Sequence, residues 1–97
     1  MDEIIETPKI SEILLEEFMQ PLGISAYKLA KDINVPTSRI QDILKDKHKI
    51  TVDTSLRLAR YFNVSDKYFL NLQNDIDIRN ALVTMNSELS NIKSYAV

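Results

Sequence analysis

The chain has no cysteine and no tryptophan, one glycine, one histidine and three prolines in 97 residues. Without cysteine there is no disulfide framework and no thiolate metal site, a composition that suits a reducing compartment. The single histidine, His48, sits in a lysine-rich stretch, and no serine and aspartate spacing converges on it. Carboxylates are plentiful but fall on the solvated faces of helical patterns, so neither catalysis nor a cofactor or metal is expected. No apolar run approaches the about 20 residues that a membrane span needs. The N-terminus, MDEIIE, is acidic where a secretory signal would be basic, and the expected location is the cytoplasm. Strand-type alternation is missing too, whereas helical spacing recurs from end to end. The length suits one domain with one core.

The net charge of −2 hides a segregation. Residues 28–60 carry Lys28, Lys31, Arg39, Lys45, Lys47, Lys49, Arg57 and Arg60 against Asp32, Asp42, Asp46 and Asp53, a net +4. Residues 1–27 carry only Lys9 against Asp2, Glu3, Glu6, Glu12, Glu16 and Glu17, a net −5. Such a division suits a protein with two partners of opposite charge, the plain alternative being two solvated faces.

Residues 25–45, SAYKLAKDINVPTSRIQDILK, organise the rest. Ser25 is an N-cap candidate, because its hydroxyl can accept from an otherwise unpaired backbone N–H. Leu29, Ala30 and Ile33 form a buried face, with Ala26 on the same side. Asn34 tolerates the left-handed conformation a turn needs, Val35 plugs the turn, and Pro36 suits entry to a second helix. That second helix buries Ile40, Ile43 and Leu44 and leaves Thr37, Ser38, Arg39, Gln41, Asp42 and Lys45 outside. The small Ala30 stands where two such helices cross most closely. Crossing residue, turn residue and apolar spacing together match the helix-turn-helix pattern, against a helical hairpin with no nucleic-acid role.

Around this stretch, residues 1–9 read as a loosely docked acidic arm. Ser11 is the expected cap of a first helix to about Met19, facing Ile10, Leu14 and Phe18 inward, with Ile13 a further candidate. Pro21-Leu22-Gly23 ends it, and Leu22 and Ile24 are expected to enter the core. After the basic loop Lys45-Asp46-Lys47-His48-Lys49, Ile50 is a core anchor and Thr51 the cap of a helix burying Leu56, Leu58 or Ala59, and Phe62. Asp53, in its first turn, suits the helix dipole. Val64 and Ser65 start a fifth helix from Asp66, facing Phe69, Leu72 and Ile76 inward. Tyr61-Phe62 and Tyr68-Phe69 read as packing, not as a base-stacking platform. Leu82, Met85, Leu89 and Ile92 then repeat at i, i+3, i+7 and i+10, a tail helix read as a dimer or partner contact over one folded back on its own chain.

Two blocks narrow the pattern. EILLEEFMQPLGIS precedes the motif and YFLNLQNDIDIR follows it. With them, residues 12–82 resemble the HigA group of antitoxins within the XRE-type helix-turn-helix proteins. The resemblance implies an all-α, lambda-repressor-like five-helix domain over residues 10–82, here with an additional C-terminal amphipathic helix in a tail of residues 83–97. It also implies a dimer that represses its own operon and neutralises a HigB-type ribosome-dependent mRNA endonuclease. Departures from the family are Ile10-Ser11 where Pro-Gly is frequent, Asn34 and Asp46 where glycine is common, and Ala26 where related repressors use glutamine to clamp a phosphate. That clamp then falls to backbone N–H groups near Ser25 or to Lys28.

On double-stranded operator DNA, Thr37, Ser38 and Gln41 are the expected base readers, since hydroxyl and amide groups pair with base edges. Arg39 suits a guanine, a phosphate or Asp42; Asp42 suits a cytosine amine or Lys45. Lys45, Lys47 and Lys49 lie past the second helix and suit backbone contacts. A homodimer would favour an inverted repeat. For the basic toxin, the expected contacts are Glu3, Ile4, Ile5, Glu6, Glu12 and Glu16, with Asp2 and Glu17 adding charge. The competing readings are a stand-alone XRE repressor without a toxin and an interaction module that has lost DNA binding.

Overall fold

In a computed structural model that describes residues 8–95, the chain forms six helices and, among those residues, no strand. Helix α1 covers residues 10–22, with an ordinary turn at Ile10–Ile13, wide π-helical turns over Leu14–Met19 and a last turn at Gln20–Leu22. There follow α2 (Ala26–Ile33), α3 (Thr37–Leu44), α4 (Val52–Phe62), α5 (Tyr68–Thr84) and the short α6 (Asn86–Ser90). The expected all-α architecture, five helices and an additional C-terminal one, is what the chain adopts. No helix among the described residues is long and apolar enough to cross a membrane.

The first four helices end in the same way. Gly23, Asn34, Asp46 and Asn63 all take positive φ, between 58° and 64°. The next amide then reaches back five residues, Ile24 to the Met19 carbonyl, Val35 to Ala30, Lys47 to Asp42 and Val64 to Ala59. This closure satisfies carbonyls that a helix end otherwise leaves open, and an apolar residue normally follows the left-handed one. Ile24, Val35 and Val64 obey and pack against the core. The closure at the end of α3 presents Lys47 instead, which stays exposed. One local motif thus folds the chain inward three times and pushes a basic loop outward once.

The core is built from Leu14 and Met19 of α1, Leu29, Ala30 and Ile33 of α2, Ile40 and Ile43 of α3, Ile50, Leu58 of α4 and Phe69 of α5. Ala30 is fully buried where α2 and α3 pack, as a close crossing requires. Phe18 joins three elements, its ring centroid 5.1 Å from Phe62 and from Phe69 and 5.7 Å from Tyr68. Such tilted and edge-on pairs add about 0.5–1.5 kcal/mol each beyond the area they bury.

Several expectations shift. Lys9, not Ser11, is the N-cap of α1: its N–H donates to Glu12 Oε1 at 2.9 Å, while Ser11 is buried inside the helix. The helix passes Met19, its widened turns lying directly before Pro21, whose ring and missing N–H oppose an ordinary ladder. Leu22 is 63% exposed because Gly23 turns the chain before that side chain can reach the core. Leu56 is also exposed, since the buried face of α4 runs through Thr54, Ser55, Leu58 and Ala59. Helix α5 starts at Tyr68, two residues after Asp66, because Ser65 and Lys67 close a turn first.

Gln73 was not anticipated. Its Oε1 accepts from the Ile50 N–H at 2.7 Å and its Nε2 donates to the Ile50 carbonyl at 2.9 Å, both buried. Replacing Gln73 by leucine leaves both peptide groups of Ile50 without a partner. Each such buried orphan costs about 1–3 kcal/mol, so Gln73→Leu is expected to lower the urea midpoint clearly at unchanged slope. An unchanged midpoint would show the clamp to be dispensable.

Candidate nucleic-acid interface

The exposed face of α3 is set by what lies beneath it. Ser25 caps α2 by accepting from the Lys28 N–H at 3.1 Å. Leu29, Ala30 and Ile33 then bury against Ile40 and Ile43, and Pro36, in an extended conformation, starts α3 after the Asn34 turn. Of the outward residues, Ser38, Arg39, Gln41 and Lys45 are exposed and share the helix with a half-buried Thr37. Asp42 is only partly exposed. Lys45 and Lys47 enter no ion pair among the described residues.

Lys28, Arg39 and Lys49 are already matched to carboxylates, whereas Lys31 is in no ion pair among the described residues. Lys28 lies 2.8 Å from Asp32, which also accepts from the Tyr61 hydroxyl at 2.7 Å. Lys49 pairs with Asp77 of α5. Arg39 does not brace Asp42; its Nη1 donates to Oδ2 of Asp53, in the first turn of α4, at 3.2 Å. Asp42 in turn faces His48 at 3.6 Å instead of Lys45. Its backbone carbonyl accepts from Lys47 and His48, and that closure brings the His48 ring back over the helix end.

The surroundings of Asp32 shift its titration. Hydrogen bonds from Lys28 and then from Tyr61 hold its carboxyl below the ordinary carboxylate range, and the same contacts raise Lys28 and Tyr61. All three groups are at the surface, so this is orientation more than stability.

The residues expected to meet a protein partner are divided. Glu3, Ile4, Ile5 and Glu6, like Asp2, lie outside the described residues. Glu12, Glu16 and Glu17 are exposed along α1, and Glu12 also serves as the capping carboxylate. Lys9 is anchored by that cap and lies 3.7 Å from Asp46. Leu82, Met85, Leu89 and Ile92 are all exposed, and Ile78 and Val83 extend their apolar surface. Helix α5 carries Leu82, α6 carries Leu89, Met85 joins the two and Ile92 follows.

Sequence reasoning missed Asp53 and Arg57 as partners of the motif. Arg57 Nη1 donates to the Ile33 carbonyl at 2.8 Å and its Nε to both oxygens of Asp53. The i, i+4 spacing of Asp53 and Arg57 was a usable signal; the reach to α2 and α3 was not.

The helix-turn-helix family HTH_3 matches residues 15–69. Virulence-associated protein I of Dichelobacter nodosus is 45% identical over 78 residues, 78% of this chain and 72% of that one. An addiction module antidote protein of a HigA family from Coxiella burnetii has a structure with TM-score 0.84 and 36% identity, covering 94% of this chain and 100% of that one. The Pseudomonas aeruginosa antitoxin HigA, solved with the higBA promoter, superimposes with TM-score 0.83 and 27% identity over 93% of this chain and 98% of that one.

A depressed carboxyl contributes stability above its unfolded pKa and loses it as pH falls through the folded one. Asp32→Asn is therefore expected to be only slightly less stable than wild type at neutral pH, since the contacts are exposed, with the gap closing as pH is lowered through the carboxylate range. Urea unfolding at a series of pH values checks this; a gap that persists in acid would assign the effect to shape.

Proposed function

This chain belongs to the helix-turn-helix family and, within it, to the HigA-type proteins, and from that premise we propose that it is the antitoxin of a type II module. In this reading it binds its operator as a dimer to repress its own operon, and neutralises a HigB-type mRNA endonuclease. The observation that carries the DNA half is the exposed row Ser38, Arg39, Gln41 and Lys45 on a helix whose other face is buried against α2. The Pseudomonas aeruginosa antitoxin HigA, solved with the higBA promoter, supports the same use of the fold.

The N-terminal turn of α3 enters the major groove. Ser38 and Gln41 reach base edges, with Thr37 held closer to the helix–helix seam. Lys45 and Lys47 meet phosphates directly, whereas Lys28 and Lys49 exchange Asp32 and Asp77 for phosphate oxygens, and backbone N–H groups beside Ser25 replace the glutamine clamp that Ala26 cannot supply. Surface pairs of this kind are worth about 0–1 kcal/mol, so the exchange is inexpensive beside counterion release from the duplex. A second copy covers the apolar stripe from Ile78 to Ile92 and sets two α3 helices on an inverted repeat. The acidic N-terminal residues and the Glu12, Glu16 and Glu17 face of α1 mask a basic toxin.

A mobility-shift titration on the chain's own upstream DNA, with and without the product of the adjacent gene, tests the whole reading. Gln41→Ala is expected to lose about 1–3 kcal/mol on operator only. Lys47→Ala is expected to weaken all sequences alike and reduce the salt slope by about 1. Equal loss on operator and random duplex for Gln41→Ala would remove it from base reading. A shift that tightens or changes stoichiometry with the adjacent product supports the antitoxin; a specific shift indifferent to it would leave a stand-alone repressor.

A further inference from the structure

We propose that Asp53 is a specificity-determining residue that acts through Arg39, positioning its guanidinium for base edges and against indiscriminate phosphate contact. The inference rests on the reading of α3 as the recognition helix. Asp53 lies outside the motif, in the first turn of α4, yet it links both motif helices. The carbonyls of Ile33 and Asn34, at the negative end of α2, accept from Arg57 Nη1 at 2.8 and 3.4 Å. Arg57 Nε lies 3.2 and 3.1 Å from Asp53 Oδ1 and Oδ2. Asp53 Oδ2 then accepts from Arg39 Nη1 at 3.2 Å. The chain of contacts runs from the end of α2, through α4, to the exposed first turn of α3.

None of these groups is deeply buried: the side chains of Arg39, Asp53 and Arg57 are 42%, 56% and 39% exposed. Ion pairs at that exposure stabilise a fold very little. Their consequence is geometric. A free arginine on a helix surface sweeps a wide arc and takes whichever phosphate it meets. Tethered through one N–H, Arg39 keeps four of its five donors and a reduced arc. Two parallel donors are what a guanine edge requires.

The affinities of wild type, Asp53→Ala, Asp53→Asn, Arg39→Ala and the double variant Arg39→Ala/Asp53→Ala, measured by anisotropy on operator and on random duplex of equal length, test this. The expected result for Asp53→Ala is a fall of about fivefold or more in the operator-to-random ratio, in the range of a lost base contact. Binding to random duplex should be unchanged or tighter. Asp53→Asn, which keeps an acceptor oxygen, should retain part of the ratio, and it guards against loss of the α4 first turn in the alanine variant. In the Arg39→Ala background, removing Asp53 should leave the ratio unaltered. An unchanged ratio in Asp53→Ala, parallel loss on both duplexes, or an equal fall with and without Arg39 would overturn the assignment while leaving the recognition helix in place. A wild-type protein that does not discriminate operator from random duplex would overturn both.

Discussion

Two buried hydrogen bonds between Gln73 and Ile50 fasten the end of the basic loop of residues 45–49 to α5. Ile50 follows the one helix end whose closure points outward, at Asp46 and Lys47, so its own side chain and backbone must return the chain to the core. The side chain is buried, and its peptide groups have no water to turn to. A primary amide carries a donor and an acceptor on one planar group and can meet both needs at once. One turn further along α5, Asp77 pairs with Lys49. The loop of Lys45, Lys47 and Lys49 is thereby hung from the same helix that continues into the exposed apolar stripe.

That arrangement also resolves the apparent mismatch between an acidic chain and a nucleic-acid partner. Lys9, Lys28, Arg39 and Lys49 each face a carboxylate, while Lys45 and Lys47 face none among the described residues. The surface is therefore not a fixed basic patch. Part of its cationic character is released only when something more strongly charged, such as a phosphate backbone, competes for the lysines. Exposed pairs make such competition easy, and salt weakens both states.

What could be read from the chain alone follows the range of the interactions. The α2–α3 pair was legible almost residue by residue, because Ser25, Ala30, Asn34 and Pro36 act within a few positions of themselves. The left-handed conformation of Asn34 could be anticipated for the same reason. Leu22 and Leu56 differ from expectation because apolar type alone does not ensure burial: a turn at Gly23 and the rotation of α4 carry both outward. The Ser11 cap failed because the backbone N–H of Lys9 found Glu12 first. Arg39 to Asp53 spans 14 residues and Ile50 to Gln73 spans 23. Nothing local distinguishes these partners from Asp42 or from any other glutamine, so helix packing had to be known before either could be seen.

Dimethyl sulfate footprinting of the protein on its own upstream region tests most directly whether α3 lies in the major groove. Methylation reads guanine N7, which faces the major groove, in the presence and absence of the full chain. The prediction is two protected patches related by a two-fold axis, with centres about one helical turn apart, and loss of individual guanines from the pattern in an Arg39→Ala variant. A complex that forms while leaving every guanine N7 as reactive as in free DNA would contradict it, and would place the DNA on some other face of the molecule.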